Sequence, residues 1–283
     1  MNFEDNNKYI QVKDFSVSGE SFSLIMDEEL QLLKTVPQPT LDNLDSYYES
    51  EDYISHTDGT RTVFEKVYQL VKKNAIQKKV SLLSKYNKKG TVLDIGAGTG
   101  DFLVAAKKQG WLITGIEPNS KAKEIAISKK VTFSDSLEKL EDHSFDVITM
   151  WHVLEHVPNL EYQIIQLKRL LKPNGTIIIA VPNYNSFDAK YYKEFWAAYD
   201  VPRHLWHFSR TAIQKLFQKQ HIKLFHVKPM WFDSFYVSLL SEKYKNGKMN
   251  FIKGFLIGLS SNCLGIFRRE FSSHIYLLKN NTK

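Results

Sequence analysis

Thr91-Val-Leu-Asp-Ile-Gly-Ala-Gly-Thr-Gly100-Asp-Phe-Leu-Val-Ala-Ala-Lys107 is the stretch that decides the fold. A short apolar run ends in Gly-x-Gly-x-Gly and passes at once into a segment of helical periodicity. Such glycines let the backbone approach a ligand closely, and a helix start offers unpaired amide donors. The stretch therefore reads as a nucleotide-binding turn between a strand and a helix. The dinucleotide fingerprint Gly-x-Gly-x-x-Gly is not met, because Asp101 stands where its third glycine belongs. An acid there repels a pyrophosphate. Asp94, two residues before the first glycine, likewise favours a ligand that carries an ammonium over one that carries phosphates.

Outward from this loop, apolar strands alternate with helical stretches. Strands are expected at 91–95, 112–116, 131–133, 145–150 and 175–181, with helices such as 102–109 and 160–171 between them. That alternation implies right-handed crossovers and a mostly parallel sheet covered by helices on both faces. Upstream, apolar residues recur at three- and four-residue spacing over 61–86, giving one long amphipathic helix or two consecutive ones. A helix near 211–220, a strand at 223–227 and a last strand at 273–278 close the chain. An antiparallel final pair with an insert at 233–270 between its strands fits them, so seven strands are expected in all. Glu117, at the end of the second strand and followed by Pro118, stands about twenty residues past the loop, where a carboxylate accepts from ribose hydroxyls. Asp135 and Ser136 follow the third strand, where they can meet an adenine amino group. Asp94 stands near the end of a strand and Glu117 and Asp135 just past one, so all three fall on the carboxyl edge of the sheet, where ligands bind.

Val92-Leu-Asp-Ile-Gly-Ala-Gly-Thr-Gly100, Gly115-Ile-Glu-Pro118, Phe145-Asp-Val-Ile-Thr-Met-Trp-His-Val-Leu-Glu-His156 and Leu170-Leu-Lys-Pro-Asn-Gly-Thr-Ile-Ile-Ile179 occur in this order. Together they resemble the successive motifs of class I S-adenosylmethionine (SAM)-dependent methyltransferases, in particular a bacterial type-23-like subgroup. The resemblance covers roughly residues 46–230. It implies a Rossmann-like fold with SAM as cofactor, which has an ammonium and a sulfonium and no phosphate. It places Asp94, Gly96 and Gly98 at the methionine part, Glu117 at the ribose, and Asp135 and Ser136 at the adenine, with Ala97, Gly100 and Pro118 also among the cofactor-binding residues. Trp151 and His152 would line the pocket. Tyr53 and His56, in the tyrosine-rich segment 47–56, look like part of a lid over the methionine end; the alternative is that these tyrosines pack a helix onto the sheet.

Ahead of that lid, residues 1–45 form a small β-rich appendage, with short strands near Tyr9 and Ser21 and a closing Pro37-Gln-Pro39. Its outline is similar to a zinc-binding module found in front of related enzymes. Met26-Asp-Glu-Glu-Leu stands where cysteines would be expected, and Cys263 is the chain's one cysteine. The appendage is therefore read as a degenerate version held by packing, without zinc.

Past the fourth strand lies the sharpest side-chain cluster, His152, Glu155 and His156, which is expected to open a helix facing the pocket. Ubiquinone-type O-methyltransferases have a similar Glu-x-x-Glu-His run linked to a divalent metal; His152 replaces its first glutamate, and no metal is expected. Glu155 and His156 are then pocket-shaping residues. The aromatic region 183–209 follows the fifth strand, and its Trp196, Tyr199, Arg203 and His207 are substrate candidates. His204, with His152 as second candidate, could take a hydroxyl proton. Arg203 could bind an anionic substrate group. The competing reading makes Arg203 and His204 a structural turn after Pro202.

The composition is that of a globular chain: 283 residues, 43% hydrophobic and 13% aromatic, with a formal charge of +7. Lysines are dispersed, so no nucleic-acid tail stands out, and the base-flipping Asn-Pro-Pro-Tyr-type motif is absent after the fourth strand. The polar N-terminus has no signal-peptide pattern and no run reaches the length of a membrane span, so a cytoplasmic protein is expected. With its charge read as sparse, the insert 233–270 suggests a lid or a homodimer contact over a lipid-facing surface. The function expected is methyl transfer to a small molecule, at a hydroxyl of a lipid-, quinone- or saccharide-like acceptor. C-methylation of a nucleotide sugar and non-catalytic SAM binding are the alternatives.

Overall fold

The computed structural model describes residues 1–40, 43, 47 and 63–280. It begins with an antiparallel meander: β1 (Lys8–Lys13), β2 (Ser21–Asp27) and β3 (Leu32–Val36). A single long helix, α1 (Val63–Tyr86), leads into β4 (Thr91–Ile95), α2 (Asp101–Lys108), β5 (Leu112–Ile116) and α3 (Ser120–Ser128). Then come β6 (Phe145–Trp151), α4 (Leu160–Leu170), β7 (Leu171–Pro182) and a short α5 (Phe187–Tyr192). The chain continues through β8 (Trp206–His207), α6 (Arg210–Gln218) and β9 (Ile222–Pro229), an α-hairpin of α7 (Asp233–Asn246) and α8 (Phe251–Arg268), and β10 (Ser273–Asn280).

Six strands form the main sheet in the order β5-β4-β6-β7-β10-β9. β5, β4, β6 and β7 run parallel, while β10 is antiparallel to both β7 and β9. The expected third strand at 131–133 is reduced to one parallel bridge between Gly115 and Phe133, so the seventh position is not a full strand. Lys130 turns in the left-handed region just before it, and Ser134 hydrogen-bonds back to the Gly115 carbonyl just after it. Too few residues remain between these turns for a ladder.

Side chains alternate along the central strands and so build two cores. Leu93, Ile95, Ile148, Met150, Ile177 and Ile179 pack with α4 and α6 on one face. Val92, Val147 and Ile178 pack with α1, α2 and Ala126 of α3 on the other. Both faces of the sheet are therefore dry, as the uninterrupted apolar runs of its strands require. From β4 the chain crosses to β5 on one side and later to β6 on the other. That change of direction opens a crevice at the carboxyl ends of β4 and β6.

The front meander takes a fourth strand from far along the chain. Leu33 pairs with His207 and Lys34 with Trp206 of β8, while Leu30 and Leu32 join the same core cluster as Leu93 and Ile95. Neither β3 nor its two-residue partner β8 has a periodic signal of its own in the sequence.

Candidate functional site

The loop after β4 is shaped by three glycines at positive φ: Gly96 (72°), Gly98 (53°) and Gly100 (77°). They differ in what surrounds them. A Cβ on Gly96 would come within 2.4 Å of Val153 Cγ2, and one on Gly100 within 2.8 Å of Ala126 Cβ. A Cβ on Gly98 would meet nothing within 4 Å. Gly96 and Gly100 are thus required by packing as well as by backbone conformation, whereas Gly98 faces open space. Its amide donates to Glu117 Oε2 at 2.7 Å, and the Asn119 amide donates to Glu117 Oε1 at 2.9 Å. The Glu117 carboxylate is clamped against the loop with lone pairs left to accept further donors. Beside it, the Pro118–Asn119 corner leads into α3, which Asn119 caps by accepting from the Ala122 amide.

Asp94 lies under the loop, 2% exposed, and accepts from Thr149 Oγ1 of β6 at 2.5 Å. Burial pushes its carboxyl up to about 7; the Thr149 hydrogen bond and the nearby Lys79 ammonium act in the opposite direction. Lys79, from α1, places Nζ 4.4 Å from the centroid of the Trp151 ring. Desolvation lowers its pKa, opposed by the charges of Asp94 and Asp233. A buried carboxylate, a desolvated lysine and an indole face therefore share one corner. Asp135 lies apart from them on the surface, its carboxylate held by Lys123 at 3.2 Å and Lys139 at 2.7 Å. Ser136 is half-buried beside it and accepts from Ser134 Oγ through its carbonyl.

After β6 the chain turns sharply. His152 takes a left-handed φ of 57°, and the expected helix start is only a 3-10 turn, Leu154–His156. His152 Nδ1 lies 3.3 Å from Glu155 Oε1, and its Nε2 lies 3.2 Å from Asp233 Oδ2 at the start of α7. Burial alone would lower the imidazole's pKa, but these two carboxylates raise it well above its usual value. Both ring nitrogens face carboxylates, which favours the imidazolium, and in that form His152 offers no unprotonated nitrogen to a substrate. Glu155 is 1% exposed, and its Oε2 has no hydrogen-bond partner among the described residues.

Glu155, His156 and His204 bring one ligand atom each to within 4.8 Å of one another, a set of a kind that can hold a divalent ion. His156 Nδ1 faces the Arg203 carbonyl at 3.0 Å and His204 Nδ1 faces the Ala198 carbonyl at 2.9 Å. A carbonyl only accepts, so both Nδ1 atoms carry hydrogen, and each Nε2 is the nitrogen left for another partner. His204 Nε2 lies 3.8 Å from Asp200 Oδ2. Burial and the neighbouring His204 depress His156 to about 4.

The rest of the aromatic region is packed inward. Trp196 and Tyr199, read from sequence as pocket wall, are 1% and 2% exposed and belong to the core between the front meander and the α7–α8 hairpin. Trp196 Nε1 donates to Asp188, which leaves no polar edge for a ligand. Arg203 is a strut: its guanidinium holds Asp200, Ser16 Oγ and the Tyr47 carbonyl. His207 Nε2 shares a 2.9 Å contact with Thr35 Oγ1, whose hydroxyl also donates to the His204 carbonyl at 2.6 Å. Dense aromatics with a few polar atoms describe a core as well as a pocket, and here the long-range pairing of β8 drew the segment inward. Tyr53 and His56 lie outside the described residues.

Lys79, Thr149, Asp200 and Asp233 join the site without having been marked by sequence. Lys79 stands among many helix lysines, and Asp233 is brought in only by the return of the chain at β9.

The residues fit SAM. The open side of Gly98 gives a cradle, Asp94 suits an ammonium, and the Glu117 carboxylate suits vicinal hydroxyls. Sequence relatives include a ubiquinone biosynthesis O-methyltransferase of Pasteurella multocida, 35% identical over 111 residues, covering 32% of this chain and 46% of the relative. A demethylmenaquinone methyltransferase of Tropheryma whipplei is 30% identical over 120 residues, 40% of this chain and 50% of the relative. The chain thus spans about half the length of these curated relatives. Among solved structures, the phosphoethanolamine N-methyltransferase 2 of Haemonchus contortus in complex with S-adenosyl-L-methionine superposes with a TM-score of 0.55. It is 16% identical, over 93% of this chain and 64% of that one. A SAM-dependent methyltransferase of Thermotoga maritima gives a TM-score of 0.52 at 21% identity, over 76% and 94% of the two chains. These structures share the fold. A methyltransferase-domain model matches residues 68–226, from within α1 into β9, and the chain belongs to that family, the SAM-dependent methyltransferases of class I.

Proposed function

We propose that this chain transfers a methyl group from SAM to a hydroxyl oxygen of a small amphiphilic acceptor, lipid- or quinone-like in character. The observation that carries the reading is the Glu117 carboxylate clamped to the Gly98 amide beside an open glycine, above a buried acid. Asp94 would meet the cofactor's ammonium, Lys79 its carboxylate and Glu117 its ribose. The backbone of Ala97, Gly98 and Gly100 passes alongside. Pro118 borders the ribose, and Ser136, with Asp135 once released from its lysines, borders the adenine. Bound there, SAM supplies an electrophilic methyl group on a sulfonium.

On the acceptor side the protein's task is alignment and exclusion of water. His204, whose Nε2 lies beside Asp200, would take the acceptor's hydroxyl proton on that nitrogen. His152 stays protonated and anchors Glu155 and Asp233. Glu155 and His156 border the acceptor, and Arg203 and His207 hold the loop that carries His204. The names of the relatives support a quinone-like acceptor.

The test is incubation with SAM labelled in its methyl group and a catechol bearing a prenyl tail. A labelled methyl ether is expected, with Glu117→Ala weakening cofactor binding at least about tenfold, the scale of one lost charge-assisted hydrogen bond. Cofactor binding without ether formation on hydroxyl acceptors of this class, or a label found on carbon, would overturn the oxygen assignment.

A further inference from the structure

Helix α8 is built inside out. Its protein-facing side consists of Gly254, Gly258, Ser261, Asn262 and Gly265, all buried. Added Cβ atoms at Gly254 and Gly258 would approach Cα of Leu239 and of Phe235 on α7 to 3.1 and 2.9 Å, so the two helices touch almost backbone to backbone. The large apolar residues point away from the protein instead: Phe251, Ile252, Phe255, Leu256, Leu259, Ile266 and Phe267 are exposed, Ile252 at 77% and Phe267 at 84%. A surface helix in water normally has the opposite arrangement, with its large apolar stripe turned to the core.

Between Glu242 and Glu270 the sequence carries charge of one sign only. From Lys243 to Arg269 the sequence contains four lysines, two arginines and no aspartate or glutamate. Lys253 is paired with Glu242 at 3.1 Å. Lys245 and Lys248, both exposed, precede the start of α8 in the chain, and Arg268 and Arg269, also exposed, follow Ile266 and Phe267 at its other end. An apolar face is thus bounded at both ends by cations. Among the described residues no helix is long and apolar enough to cross a membrane.

From this face and its charges we propose that the outer face of α8 lies in the surface of an anionic lipid bilayer, parallel to the membrane plane. Its apolar side chains enter the acyl boundary while the cations at each end meet lipid phosphates and other anionic headgroups. The charge pattern also bears on a second copy of this chain as the occupant. A twofold contact across this face sets a basic end against a basic end whether the helices run parallel or antiparallel. A bilayer supplies the missing anions in either direction. The surface is independent of the methyl acceptor and of whether transfer occurs.

The experiment is cosedimentation of the full chain with vesicles of phosphatidylcholine alone and of phosphatidylcholine with one-third phosphatidylglycerol, without SAM. Binding to the anionic vesicles is expected to be at least about tenfold stronger, since each cation near such a surface adds appreciably to attraction. The double variant Ile252→Ser with Phe267→Ser, at two of the most exposed side chains, should lose binding while its circular dichroism and melting temperature stay those of the parent. Absence of binding to anionic vesicles, or binding that survives the double substitution, would overturn the proposal. So would a dimer in the ultracentrifuge that the same two substitutions dissociate, because the face would then belong to a second copy.

Discussion

At the scale of single residues, Asp94 has two opposing demands. Burial raises its carboxyl to about 7, so the folded protein keeps a proton that the unfolded chain releases near pH 4. That difference favours folding fully below about pH 4 and is lost as pH rises through about 7. A cationic ligand works the other way, since its ammonium is attracted by the ionised form. SAM affinity should therefore rise about tenfold per pH unit below pH 7 and level off above it, because one proton must leave for each cation bound. In Asp94→Asn this slope should vanish, with weaker binding at every pH. Calorimetry from pH 5.5 to 8.5 checks it, and a pH-independent affinity in the parent would refute it. Asp94, Gly98 and Glu117 were legible in the sequence because a short loop and two strand ends fix them locally. Lys79 was not: its charge becomes relevant only when α1 packs across Trp151.

At the scale of elements, the turn after β6 is tied to α7 by His152, which bridges Glu155 and Asp233. His152 has a raised folded pKa, so its pairing contributes fully below about pH 6.5 and fades as pH climbs toward the raised value. Glu155 has a lowered pKa, and its share is present above the usual glutamate range and is lost on acidification. The two windows overlap at roughly pH 5–6.5. His152→Gln should cost about 1–3 kcal/mol there, because it leaves a buried carboxylate without its charged partner. The gap to the parent should narrow by pH 9, as urea unfolding at pH 6 and pH 9 would show; an equal gap at both would mean the pair is not ionic. The strands of the main sheet were readable because strands buried on both faces appear as plain apolar runs. The 3-10 turn, β8 and the inverted α8 were not. Their residues take their places from partners distant in sequence, and an apolar helix reads alike whether its large side chains face a core or face outward.

For the molecule as a whole, the front meander is joined to the methyltransferase fold more tightly than an appendage needs to be. Leu30 and Leu32 pack among Ile95, Met150 and Phe208 in one cluster, while Leu24 and Leu33 pack with Trp196 and Tyr199 in another. The Gln31 carbonyl accepts from both Tyr184 OH and Ser209 Oγ, and Thr35 bonds the His204 carbonyl. Removing residues 1–40 would uncover two apolar cores and strand these polar groups. The meander and the main sheet should therefore unfold in one transition. Leu32→Ala, at a fully buried side chain, should cost about 2–5 kcal/mol. It should lower the single melting temperature seen by both far-ultraviolet dichroism and tryptophan emission, since no layer can be lost alone. Two separate transitions, or a chain lacking residues 1–40 that still melts cooperatively near the parent temperature, would mean that the β3–β8 pairing adds little and that the sheets are stable apart.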